Sequence, residues 1–171
     1  MAGAARGAQR RAARGAARDV IDLARTIDLP LSPDDAWTAL WNVSAVAGCL
    51  PGCEAVEEVE PRRRYRATVK DRVGPFTVTI PLDVAVEPSE PERLLRINAT
   101  GRDSILGSPV KMSLIARLTP GEQGGSVLAL NGRAEVGGKL AALGQSVMHR
   151  KTRDIMDTFA RQLGEMLEGR R

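Results

Sequence analysis

The sequence predicts an α+β fold: a curved antiparallel sheet with two short helices after its first strand and a long C-terminal helix over its concave face. Three features imply it. Several stretches alternate apolar and polar residues with period two, the linkers between them are short and rich in turn residues, and the hydrophobic period becomes helical only near the C-terminus. A chain of 171 residues with 43% hydrophobic content can bury one sizeable core and calls for no second domain.

Residues 1–18 are almost wholly Ala, Gly and Arg, too poor in apolar bulk to dock on a core. They read as a flexible arm ahead of a single domain over 19–171. Arg6, Arg10, Arg11, Arg14 and Arg18 all precede the first acid, Asp19, so the formal net charge of +4 belongs to the arm and the body is close to neutral. Four of these arginines recur at i, i+4, and a helix induced on an anionic membrane would present them as one stripe.

The first strand is expected over Val20–Leu29, where apolar and β-branched residues are interspersed with charges. Ser32-Pro33-Asp34-Asp35 then signals a helix start, with Ser as N-cap, Pro at N1 and an acid at N3, where free amides and the helix dipole favour it. This helix runs through Trp37, Leu40 and Trp41, and a second short turn, Ser44 to Cys49, is stopped by Pro51-Gly52. Period-two strands follow: Phe76, Val78, Ile80, Leu82, Val84 and Val86; then Val110, Met112, Leu114, Ala116 and Leu118; then Leu128, Leu130, Ala134 and Val136. Between strands stand Val73-Gly74-Pro75, Pro88 to Glu92 and Pro120 to Gly125, spacings that suit an antiparallel meander better than parallel crossovers. From about Lys139 to Glu168 the spacing of Leu140, Leu143, Val147, Ile155, Phe159, Leu163 and Leu167 predicts one long helix, which completes a helix-grip layout.

No stretch reaches the roughly 18 apolar residues of a membrane-spanning helix, and the N-terminus lacks the apolar region of a secretory signal. A cytoplasmic protein is expected, peripheral at the inner face of the membrane if the arginine arm binds there, with Cys49 and Cys53 as reduced thiols. Two cysteines and a distant His149 are too few for a zinc site, and His149, beside Arg150 and Lys151, is expected to face solvent, which removes the usual hydrolase schemes. Asp71 shares its odd-numbered strand face with Tyr65, Ala67 and Val69, so it is a candidate for proton transfer only if buried. Arg62, Arg63 and Arg64, with Arg66, Lys70 and Arg72, should form a basic outer face. Nucleic acid is not the expected partner, because two Trp, one Tyr and two Phe leave little to stack on bases, and an acidic protein fits the stripe better.

The order and separation of Pro33 to Leu40, Cys49-Leu50-Pro51-Gly52-Cys53-Glu54, Tyr65 to Lys70 with Val73-Gly74-Pro75, and Gly137-Gly138-Lys139-Leu140 through Leu143-Gly144 resemble the CoxG family of carbon-monoxide dehydrogenase proteins, within the START/Bet v 1-like (SRPBCC) superfamily. The resemblance spans about Thr26 to Leu167. It implies a helix-grip fold around an apolar cavity, with no chemistry and no covalent cofactor of its own. It further implies an accessory protein of a molybdenum hydroxylase such as CO dehydrogenase, one that binds a quinone-like molecule such as menaquinone, or a lipid. Some members of the family carry a C-terminal extension thought to reach the membrane; this chain ends at Arg171 after the helix, a departure that argues against direct membrane anchoring unless the arginine arm substitutes for it.

Position along the elements then places the ligand-binding walls at Trp37, Leu40, Cys49 and Leu50 from the helices and turn, Val78, Ile80, Leu114 and Leu130 from strands, and Leu143, Gly144 and Val147 from the lid helix. Lys151 continues the Leu143, Val147, Ile155, Phe159 row at i+4 steps, either snorkelling from its edge or meeting a carbonyl or headgroup at one end of the cavity. Gly144, costly within a helix, is expected to permit a close approach of backbone or ligand. Two other functions stay open: a polyketide cyclase/dehydrase-like enzyme of the same superfamily, and a solid-core protein-docking domain.

Overall fold

The computed structural model describes residues 18–170. The arm arginines Arg6, Arg10, Arg11 and Arg14 lie outside the described residues, and Arg18 is the first residue of the first strand.

Strand β1 (Arg18–Leu29) buries Asp19, Ile21, Leu23, Ile27 and Leu29 on its odd face, as a strand with one face on a core must. Helix α1 (Pro33–Leu40) starts where the sequence signals it, with Ser32 Oγ accepting from the Asp35 amide at 3.2 Å. Helix α2 (Val43–Ala47) is a single turn capped by Asn42. Then come β2 (Cys53–Glu60), β3 (Arg64–Val73), β4 (Phe76–Ser89), β5 (Leu94–Arg102), β6 (Pro109–Pro120) and β7 (Ser126–Gly137), followed by α3 (Gly138–Ala141) and α4 (Gln145–Glu168). All strand pairs are antiparallel, in the order β1-β7-β6-β5-β4-β3-β2, so each strand from β2 to β7 neighbours its successor and β1 closes the far side.

Two features of this architecture differ from the sequence expectation. Strand β5 is not among the expected strands, although Leu95, Ile97 and Ala99 alternate with Arg96, Asn98 and Thr100. The long terminal helix is also broken at Ala142–Gly144, and Gly144 is not inside a helix: it sits at the N-cap of α4 with φ of +92°. A Cβ there would meet nothing within 4 Å, so the glycine answers a backbone conformation and not a close approach.

The register sets Tyr65, Ala67, Val69, Asp71, Ile80, Leu82, Val84, Leu95, Ile97, Ala99, Met112 and Leu114 on one face, toward α4. The face curves tightly where side chains vanish: a Cβ on Gly101 would fall 2.3 Å from the Pro81 carbonyl oxygen, and one on Gly132 would fall 2.2 Å from that of Ser113. Helix α4 lies against β1 and reaches β3 across the concavity.

Candidate functional site

The interior is not one continuous core. One cluster joins α1, the C-terminal half of α4 and the strand ends beside them, through Leu29, Trp37, Cys49, Leu118, Leu128, Leu130, Phe159, Leu163 and Leu167. A second, at the opposite end, joins Ile21, Val73, Val78, Val136, Leu140 and Met148. Between them Val69, Leu82, Val84, Ile97 and Ile155 face the interior, yet each is only half-buried and belongs to neither cluster. Five large apolar side chains on the inward face are thus left partly open to solvent beneath the middle of α4. Apolar surface of this kind is what a hydrophobic ligand covers.

The residues singled out from sequence fall into two groups. Trp37, Cys49 and Leu130 are buried in the first cluster and Val78 in the second, where they support the walls. Leu40, Leu50, Ile80, Leu114, Leu143 and Val147 are half-buried and packed against those clusters, so they flank the open band. Leu114 touches both. Gly144 brings no side chain and marks the break before α4. Val69, Leu82, Val84, Ile97 and Ile155 are not among the expected wall residues, although period-two alternation in β4 and the i+4 row in α4 put three of them on the right face.

The turn Cys49-Leu50-Pro51-Gly52-Cys53 closes one side of the concavity. Gly52 has φ of +83°, its carbonyl accepts from the Lys70 amide at 2.8 Å, and a Cβ on it would sit 2.5 Å from the Lys70 carbonyl oxygen. Only glycine lets the turn lie flat on β3. Burial pushes both thiols, Cys49 and Cys53, above the ordinary cysteine range, which makes them poor nucleophiles. Cys49 Sγ donates to the Ala45 carbonyl at 3.5 Å. Among the described residues no three His, Cys, Asp or Glu side chains gather as a metal would require, and His149 is exposed.

One ion pair joins the lid helix to the inward face of β3. Lys151 Nζ of α4 is 2.8 Å from Asp71 Oδ2 of β3, and both side chains are about three-quarters buried, with 26% and 23% of their surface exposed. Asp71 Oδ2 is itself buried and lies out of line for a directed hydrogen bond, so the contact is ionic, while Oδ1 accepts from the Arg72 amide at 2.7 Å. The pair bridges the lid helix to the sheet beside the open band, and the Lys151 ammonium keeps donors for a ligand carbonyl that reaches it.

The α1 end is fastened by polar contacts. Trp37 Nε1 donates to Glu90 Oε2 at 2.7 Å, Arg62 pairs with Glu90 at 3.3 Å, and the Arg62 guanidinium stands 4.6 Å above the Trp41 ring. These hold α1 against the β2–β3 and β4–β5 turns. Tyr65 Oη accepts from the Arg62 amide at 3.1 Å, and burial is the main cause that raises its phenol above the ordinary range. At the other end Asp103, 1% exposed, accepts from the amides of Thr79, Ile105 and Leu106 and locks the β5–β6 loop.

The family model for CoxG, a subunit of carbon monoxide dehydrogenase, matches residues 26–168. Among solved structures, a conserved protein from Geobacillus kaustophilus superposes with a TM-score of 0.77 at 20% identity, over 87% of this chain and 96% of that one. A START superfamily protein from Mycobacterium smegmatis gives 0.66 at 12% identity, over 88% and 99%. An aromatase/cyclase from a Streptomyces species gives 0.59 at 15% identity, over 89% and 93%. These likenesses establish the START/Bet v 1-like fold. No curated protein matches the chain significantly.

Proposed function

The chain belongs to the CoxG family of carbon monoxide dehydrogenase proteins, and from that premise we propose that it is a non-enzymatic carrier of a hydrophobic ligand, quinone- or lipid-like, acting as accessory to a membrane-linked molybdenum hydroxylase. One observation supports this above the others: Val69, Leu82, Val84, Ile97 and Ile155 face inward, half-buried, between two packed clusters. Covering them is worth about 25 cal/mol per Å² of apolar surface removed from water. Lys151 orients the ligand by donating to a carbonyl or headgroup oxygen at the rim, with Asp71 fixing the ammonium. No helix among the described residues is long and apolar enough to cross a membrane.

The test is to purify the protein from a quinone-containing bacterium, extract it with organic solvent and run the extract by mass spectrometry beside Leu82→Trp, which fills the band. A near-stoichiometric quinone or lipid from the wild type, absent from the variant, supports carriage. Equal extracts from both reject it.

The Asp71–Lys151 pair also favours a second function, since an amine and a carboxylate in contact beside an apolar concavity are the elements of acid–base catalysis in a cyclase or dehydrase. An enzyme of that kind would lose turnover of a polyketide-like substrate, with binding retained, in Lys151→Met. A carrier would show a changed affinity and no turnover to lose.

A further inference from the structure

The convex face of the sheet carries a feature independent of the concave site. On β5, β6 and β7 the outward positions hold Arg96, Arg102, Lys111, Arg117 and Arg133 against a single carboxylate, Glu135, which lies 3.7 Å from Arg18. Among the described residues Arg96, Lys111 and Arg117 make no ion pair, and Arg133 reaches Asp22 at 3.3 Å. Glu87 stands opposite Arg96, and Glu135 opposite Lys111, in the strand register, yet neither comes within ion-pair distance of its neighbour. The β3 stripe expected to be the basic surface is more nearly neutralised, because Arg64 pairs with Glu60 and Arg66 with Asp83.

At the centre of these cations the sheet is hollow. Short side chains, Asn98 and Ser113 joined by a 2.9 Å hydrogen bond, and Asn131, form a floor between Arg96, Ile115 and Arg133, and the depression measures about 390 Å³. Ile115 is 38% exposed there, an apolar side chain in a ring of amides and guanidinium groups. An apolar centre with an arginine-rich polar rim is the anatomy of a protein interface, and the sign of the rim selects an acidic partner.

We propose that the convex face of β5–β7, centred on Ile115, is a docking surface for an acidic segment of a partner protein that places an apolar side chain beside Ile115 between flanking carboxylates. The chain's own arm is the wrong occupant on charge, since residues 1–17 contain four arginines and no acid. A second copy would have to bring acids from a different face, such as Glu54, Glu57, Glu58 and Glu60 of β2, in a head-to-tail contact.

The test uses the full chain, labelled with ¹⁵N, titrated at physiological salt with the capped peptide Glu-Glu-Leu-Glu-Glu and with a control in which Gly replaces Leu. The expected result is amide shifts at 96–98, 113–117 and 131–133, affinity roughly tenfold weaker for the Gly peptide, and a loss of about tenfold or more in Ile115→Asp and in Arg96→Glu. The spectrum reports that each variant is folded, and Ile115→Ser serves as a milder replacement. Shifts confined to the arm or to Arg64–Arg72, equal binding of the two peptides, or unchanged affinity in both variants would overturn the proposal. So would concentration-dependent sedimentation abolished by Ile115→Asp without peptide binding, which would assign the face to a second copy.

Discussion

If the middle of the interior is an open band and not core, two leucines on the same inward face must differ sharply in what they contribute to stability. Leu163 of α4 is 0% exposed inside a packed cluster, whereas Leu82 of β4 is half-buried and belongs to neither cluster. Leu→Ala removes three carbons, worth roughly 2.4 kcal/mol when fully buried at about 0.8 kcal/mol each. At Leu163 a void is left as well, which brings the expected cost to about 3–5 kcal/mol. At Leu82 roughly half the transfer term applies and no new void forms, so the cost is about 1 kcal/mol. With a urea slope near 2 kcal/mol/M, the midpoint should fall by roughly 2 M for Leu163→Ala and roughly 0.5 M for Leu82→Ala. The assay is equilibrium urea unfolding followed by circular dichroism on solvent-extracted, refolded protein. Equal shifts for the two variants would refute the division of the interior into two clusters.

Three further outcomes follow from the same geometry. Lys151→Met strips the buried Asp71 Oδ2 of its counter-charge and should cost roughly 1–2 kcal/mol, while adding Asp71→Asn restores at least half; a double-mutant cycle that sums without coupling would show the pair to be inert. Gly144→Ala forces a side chain to φ of +92° and should cost about 1–2 kcal/mol in a thermal melt, with no rescue by enlarging or shrinking neighbours, since none lies within 4 Å. Burial alone would raise the Asp103 carboxyl, but its three backbone donors outweigh that and hold it below the ordinary range. Its stabilising contribution is therefore present above the unfolded value near 3.8 and is lost as pH falls through the lower folded value. Urea titrations from pH 6 to 2.5 should show the gap between wild type and Asp103→Asn narrowing only below about pH 4.

Much of this architecture is legible in the chain because it rests on local chemistry. Ser32-Pro33-Asp34-Asp35 specifies the start of α1 through the same Oγ-to-amide contact that the structure contains, and alternation in β4, β6 and β7 decides which side chains face inward. The break before α4 is not legible, since Gly144 within an apolar helical row gives no sign of its +92° φ. Strand β5 is harder to read because Leu94 precedes Leu95 out of phase and Gly101 takes an inward position, which leaves only Leu95, Ile97 and Ala99 in alternation. The separation of wall from core is also out of reach: Val78 and Leu82 sit on one face of one strand, and only the tertiary packing, with Val73, Leu140 and Met148 grouped around Val78, decides that one is buried and the other open. The Asp71–Lys151 contact joins residues 80 positions apart, and Lys151 stands out only as a cation in an apolar row.

The most direct measurement is a crystal structure of the protein soaked with decylubiquinone, a short-chain quinone. Ligand carriage predicts density between α4 and β3–β5, its ring or tail against Val69, Leu82, Val84, Ile97 and Ile155 and an oxygen within hydrogen-bonding distance of Lys151 Nζ. A saturating soak that leaves that band empty, with those five side chains closed on one another, would contradict it.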